Sequence, residues 1–295
     1  MLTSETHNPG RTSSEAFNAI DEVGAHPVLQ VLVGFCCFIL AEFLGGILGV
    51  RIGGDIGLGV GGILAAILAV GGYLLIMRCI AKRSPVEIRS PGAWRELGAG
   101  LTLGTLLMGI VVGVAALAGA YRATGLNPNP AILGLVGISV MAGVAEEILF
   151  RGLLLRVLEH RVGTWWALGL TSALFGGLHL TNPEATPGGA LAIGLEAGLL
   201  LGACFVVTRR LWLVMGVHAA WNFVQGGIFS SDVSGTGSEN HGLLAATING
   251  PAALTGGTTG FEGSLTALFV CLACALVLLI VAKRRGLILT PRARA

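Results

Sequence analysis

The sequence predicts an all-α fold, a polytopic transmembrane bundle of about eight membrane-spanning helices. Composition and the length of the apolar runs lead there together. Of the 295 residues, 54% are hydrophobic and only 12% charged, and the mean hydropathy is +0.82. A water-soluble domain carries roughly 25% charge, so about half of what a wetted surface needs is missing. Disorder requires the opposite balance, and 6 Cys in a chain this long do not make a secreted disulfide scaffold. A net charge of +2 with 6% aromatics argues against nucleic acid as a partner.

Crossing the hydrocarbon core takes about 20 mostly apolar residues in a helix. Eight such runs follow one another, near 28–50, 56–80, 97–120, 131–156, 165–182, 189–208, 211–229 and 264–282. They are continuous and lack period-two alternation, which disfavours a β-barrel. Residues 1–27 are polar, hold Pro9 and Gly10, and read as a disordered cytosolic tail. The first apolar run starts too late and is too long for a signal peptide. Residues 28–282 form the transmembrane helical domain, and 283–295 a basic cytosolic tail. The stretch 84–96 reads as an interfacial segment with Trp94 as its anchor. Loop 230–263, rich in Gly, Ser and Thr, reads as mobile. The six cysteines lie in or beside apolar runs. Cys271-x-x-Cys274 sits in a helical run without a βαβ context, so a structural role is expected and disulfides are not.

Charge position sets the orientation. Fourteen of the 18 basic residues follow even-numbered runs, around Arg78–Arg95, Arg156–Arg161, Arg209–Arg210 and Lys283–Arg294. The odd-numbered loops hold only Arg51 and Arg122. The positive-inside rule then puts both termini in the cytosol of a multi-pass protein of the cell membrane.

Ionisable residues within such runs are costly and mark function by default. The fourth run holds Glu146, Glu147 and Arg151, the fifth His179, the seventh His218 and Asn222. Glu147 and Arg151 are four apart and can pair along one helix face. Glu146 is rotated by about 100° from Glu147 in a regular helix, which makes it the better candidate for chemistry. Phe175 and His179 share a four-residue spacing, as do His218 and Asn222. At about 1.5 Å per residue the polar groups lie about 11–21 Å from the cytosolic ends of their runs, so they can meet inside the membrane. Glu42 and Glu196 belong to no such pattern. Of the two, Glu196 is the better candidate for lining a substrate cavity.

Glu146-Glu147-x-x-x-Arg151, Phe175-x-x-x-His179 and His218-x-x-x-Asn222, in that order on three apolar runs, resemble the three motifs of the CPBP intramembrane proteases. That family includes the CAAX prenyl endopeptidases and the bacterial Abi proteins. The resemblance covers about 95–229 and leaves runs one, two and eight undiagnosed. It implies an intramembrane endopeptidase acting on a membrane-associated, C-terminal or lipidated peptide or protein. Glu146 and His179 would activate water, His218 and Asn222 would stabilise the oxyanion, and Glu147, Arg151 and Phe175 would support them. The family has been described both as zinc-dependent and as glutamate-dependent. Glu146, His179 and His218 could hold Zn²⁺ with one open position, but no HExxH occurs, and the metal-free reading is favoured. A neutral imidazole and an amide are the donors expected for the oxyanion. A site opening toward the cytosol would suit C-terminal or juxtamembrane cleavage. A transport or immunity protein, or a scaffold that keeps the site without cleaving, is the alternative; no inverted repeat is visible to support transport.

Overall fold

A computed structural model describes residues 23–237 and 241–291. The predicted tail 1–27 lies outside this up to residue 22, as do 238–240 of the long loop and 292–295 of the basic tail. The chain is a helical bundle. Its elements are α1 (Pro27–Ile52), α2 (Gly54–Leu75, extended by a π-helical turn Ile76–Ala81), α3 (Ala93–Leu117), β1 (Tyr121–Leu126) and α4 (Ile132–Met141). After π-helical turns at Ala142–Glu146 and Ile148–Leu155 come α5 (Arg156–Leu178), α6 (Pro187–Ile193), a π turn Gly194–Gly198 and α7 (Leu199–Thr208). The rest are α8 (Leu211–Asn222, followed by a π turn Phe223–Ile228), β2 (Leu244–Ile248), α9 (Ala252–Thr255) and α10 (Leu265–Arg284).

By length and composition, 6 helices among the described residues can cross a membrane. One of them, Ile132–Thr181, is 50 residues long. It bends at Gly163, whose φ of 79° and ψ of 166° break the helical path, so runs four and five leave this point in different directions. Glycine suits that backbone because it has no Cβ to clash at positive φ. The bundle's outside is apolar, with Phe43, Ile67, Leu106 and Phe269 each at least 59% exposed. Such a surface belongs against lipid rather than water. Helix ends follow local chemistry. Thr186 accepts the Gly189 N–H at 3.0 Å with Pro187 at the first position of α6, and Ser264 accepts the Ala267 N–H at 3.1 Å to start α10. Lys283 and Arg284 end α10 against the negative pole of its dipole.

Connections gather at two ends of the bundle. At one, Glu87 pairs with Arg83 at 2.8 Å and Arg156 at 2.9 Å, and Glu159 with Arg209 at 2.5 Å. There Thr164 N–H also reaches Leu289 O at 3.0 Å, and Arg210 reaches Glu96 at 3.0 Å. Trp94, Trp165 and Trp166 stand exposed around this basic end, where an aromatic belt would sit. At the other end β1 pairs antiparallel with β2, Tyr121 opposite Ile248 and Leu126 opposite Leu244. Asn182 Nδ2 donates to Ser234 O at 2.6 Å, and Glu184 N–H to Gly235 O at 2.8 Å.

The helical bundle stands as the sequence predicts, with one two-stranded sheet added. One expectation changes here. Loop 230–263, expected to be mobile, folds onto the bundle: Ser230, Ser231, Asp232, Thr255, Thr259 and Glu262 are buried. Asp232 holds it by accepting the Thr236 and Gly237 N–H groups at 2.9 and 2.7 Å, while Gln225 donates to its carbonyl at 2.5 Å. Polar loop composition therefore serves internal hydrogen bonding. The six cysteines are all free, and Cys271 is buried.

Candidate active site

Glu146 ends one π-helical turn, and Glu147 sits between two of them. A π turn places hydrogen bonds five residues apart, a rare widening found mostly at functional sites. It replaces the regular helix from which the sequence argument began. The two glutamates still part company. Glu146 is half-buried and faces a cavity, with Oε2 lacking a hydrogen-bond partner. Glu147 is fully buried, and its Oε1 accepts from Arg151 Nη1 at 2.8 Å. Arg151 also donates through Nη2 to Gly198 O at 3.1 Å and lies 4.8 Å above the Phe175 ring. The guanidinium thereby ties runs four, five and six together.

Close approach between these helices depends on small residues. A Cβ at Gly143 would stand 2.9 Å from Ala219 N, and one at Gly176 2.9 Å from Gly194 N; both are tighter than any side chain tolerates. Gly143 thus seats the Glu146 turn against α8, and Gly176 seats α5 against the turn that carries Glu196.

His179 closes α5. Its Nδ1 lies 2.7 Å from Phe175 O. A carbonyl only accepts, so Nδ1 carries a proton, and in the neutral imidazole Nε2 is the nitrogen with the lone pair. Phe175, 1% exposed, stands between the imidazoles, with ring centroids 4.7 Å from His179 and 6.1 Å from His218. The Nδ1 of His218 lies 2.8 Å from Glu147 Oε1, a contact that local spacing had not suggested. That oxygen also accepts from Arg151, and His218 Nδ1, facing this salt-bridged oxygen, is the donor.

Glu146, His179, His218 and Asn222 line one cavity of about 540 Å³. Behind it is a space of about 20 Å³, enough for roughly one water. His179, His218 and Asn222 border both, and the smaller adds Glu196 and Glu262. The expectation for Glu196 is thus corrected: the large cavity is lined by Glu42 from α1, while Glu196 faces the small one, beside the Cys271 thiol. Ser234 and Glu262 escaped the sequence reading altogether. Glu262 accepts the Ser234 N–H, and Trp221 Nε1 donates to it at 3.4 Å, so it ties the long loop to the helix carrying His218. The one hint was an acidic residue in a loop that has no basic one.

Among the described residues, no three His, Cys, Asp or Glu side chains converge as a metal ligand set. As arranged, these residues do not present a three-ligand zinc centre.

No curated protein matches the chain. Residues 128–224 match the family model described as type II CAAX prenyl endopeptidase Rce1-like, a stretch that contains all seven motif residues. Over this third of the chain the protein is similar to the Rce1-like type II CAAX prenyl endopeptidases.

Proposed function

We propose that the protein is an intramembrane endopeptidase that hydrolyses a peptide bond of a membrane-associated peptide or protein by a metal-free, glutamate-dependent route. One observation carries the reading: Glu146, His179, His218 and Asn222, from three separate runs, line a single cavity. In this scheme Glu146 takes a proton from water while His179 Nε2 orients it, the task of a positioned general base. Attack on the carbonyl carbon places negative charge on oxygen, which His218 Nε2 and the Asn222 amide stabilise. Glu146 then returns its proton to the leaving amine.

The Glu147 contact changes one part of the expected chemistry. With Nδ1 donating to a carboxylate, a neutral His218 would offer a lone pair at Nε2 and could not donate. Oxyanion stabilisation therefore uses the imidazolium, with Glu147 as its counter-charge. Among the motif residues the formal charges then balance, Arg151 and His218 against Glu146 and Glu147.

Eight crossings with both termini cytosolic complete the proposal. The gathering of alternate connections at opposite ends supports it, as does the concentration of Arg and Lys at one end. The test is incubation of purified protein with a membrane-anchored peptide library, followed by a search for new termini. Cleavage by the wild type and not by Glu146→Gln supports the reading, and no cleavage by either refutes it.

A further inference from the structure

The cavity's place between the two ends of the bundle bears on which substrates reach it. Its lining reaches one end of the bundle and stops short of the other. Run one contributes Phe35, Phe38 and Glu42, run four Leu135 through Phe150 and run five Phe175, Leu178 and His179. The connecting residues in the lining, Thr181, Asn182, Val233, Ser234 and Thr236, all lie at the end that carries the β1–β2 sheet. No lining residue comes from the connections at the basic end.

That basic end is closed. Between it and the site stand Leu153, Leu155, Leu168, Leu211 and Val214, each no more than 2% exposed. Beyond them lie the buried pairs of Glu87 with Arg156 and of Glu159 with Arg209. A small space among those charges shares no lining residue with the site cavity. A peptide arriving from the basic side would have to part close-packed apolar side chains and then break buried ion pairs. From the sheet side it meets the cavity rim directly, at the exposed Thr181.

Fourteen of the 18 basic residues lie on connections at the closed end or in the tail that leaves it, and such residues stay in the cytosol. We infer that the scissile bond is delivered from the extracytoplasmic side, so that the substrates are peptide segments anchored in, or emerging from, the outer leaflet. This rests on the protease reading above and reverses the cytosolic opening that C-terminal processing in the cytosol would use.

Sealed membrane vesicles of both orientations decide it. The probe is a quenched-fluorescent peptide library bearing a single acyl anchor, added outside the vesicles. Right-side-out vesicles should cleave it at once and inverted ones only after detergent, since a polar peptide does not cross the hydrocarbon core unaided. Cleavage confined to inverted vesicles overturns the inference and leaves the protease reading standing. Should nothing be cleaved even in detergent, the protease reading falls, and sidedness is then decided by labelling. Thr181→Cys should react with a membrane-impermeant maleimide on intact cells beyond the wild-type level, and Arg89→Cys only in inverted vesicles. The opposite labelling pattern overturns the inference.

Discussion

The Nδ1 of His218 lies 2.8 Å from Oε1 of Glu147, the same oxygen that Nη1 of Arg151 reaches at 2.8 Å. One buried carboxyl oxygen thus serves two side chains on different helices. Glu147→Gln should therefore have two separable effects. Leaving Arg151 unpaired inside the bundle costs roughly 3–5 kcal/mol, seen as a lower Tm. Loss of the counter-charge to His218 should also lower kcat per folded molecule by about 10²–10³, the usual scale for one oxyanion donor. Arg151→Ala should share the first effect but leave more of the kcat, because the Glu147–His218 contact survives. Equal kcat losses in the two variants, each normalised to folded protein, would show that Glu147 acts only through the helix.

Glu146 presents the opposite case. Its Oε2 has no hydrogen-bond partner, and the side chain faces the cavity. Glu146→Gln should lower cleavage by about 10²–10⁴-fold and leave the unfolding free energy within about 0.5 kcal/mol of wild type, with the Tm little changed. Thermal melts beside turnover measurements on the same preparation check both halves.

The metal-free route makes its own prediction. With no three His, Cys, Asp or Glu side chains converging among the described residues, purified protein should carry substoichiometric zinc and keep its activity after strong chelation. Elemental analysis near one zinc per chain, lost together with activity and restored by Zn²⁺, would reverse this.

How much of this the sequence carried depends on the range of each interaction. Apolar runs and four-residue spacings are local, so the helices, the Glu147–Arg151 pair and the Phe175–His179 neighbourhood were legible from composition and period. Contacts between distant segments were not. Nothing near Glu147 announces His218, and nothing in Leu244–Ile248 announces Tyr121–Leu126. The π turns around Glu147 were also invisible, because an i to i+5 ladder has no residue signature of its own. Loop 230–263 misled because Gly, Ser and Thr are the residues of a free loop and equally of one held by hydrogen bonds. Asp232 and Glu262 made the difference, and their partners are set by the fold.

The last prediction concerns the closed end. Glu159 is buried and accepts from Arg209 through both oxygens, at 2.5 and 3.0 Å, and from Thr164 Oγ1 at 2.5 Å. Arg209 also donates to Leu287 O, so this carboxylate gathers runs four and seven with the segment after run eight. Glu159→Gln keeps the shape but leaves the Arg209 charge unpaired at 6% exposure, again a loss of roughly 3–5 kcal/mol. Glu147 touches His218, which lines the site cavity, whereas neither Glu159 nor its partners Arg209 and Thr164 border it. Activity per folded molecule at a temperature well below the Tm should therefore match wild type, with KM unchanged. Replacing both partners, as Glu159→Leu with Arg209→Met, should recover part of the lost stability, because an apolar pair leaves no orphaned charge. A fall in kcat per folded molecule for Glu159→Gln would mean that the basic end is coupled to the site, and the view of that end as a sealed structural layer would have to be abandoned.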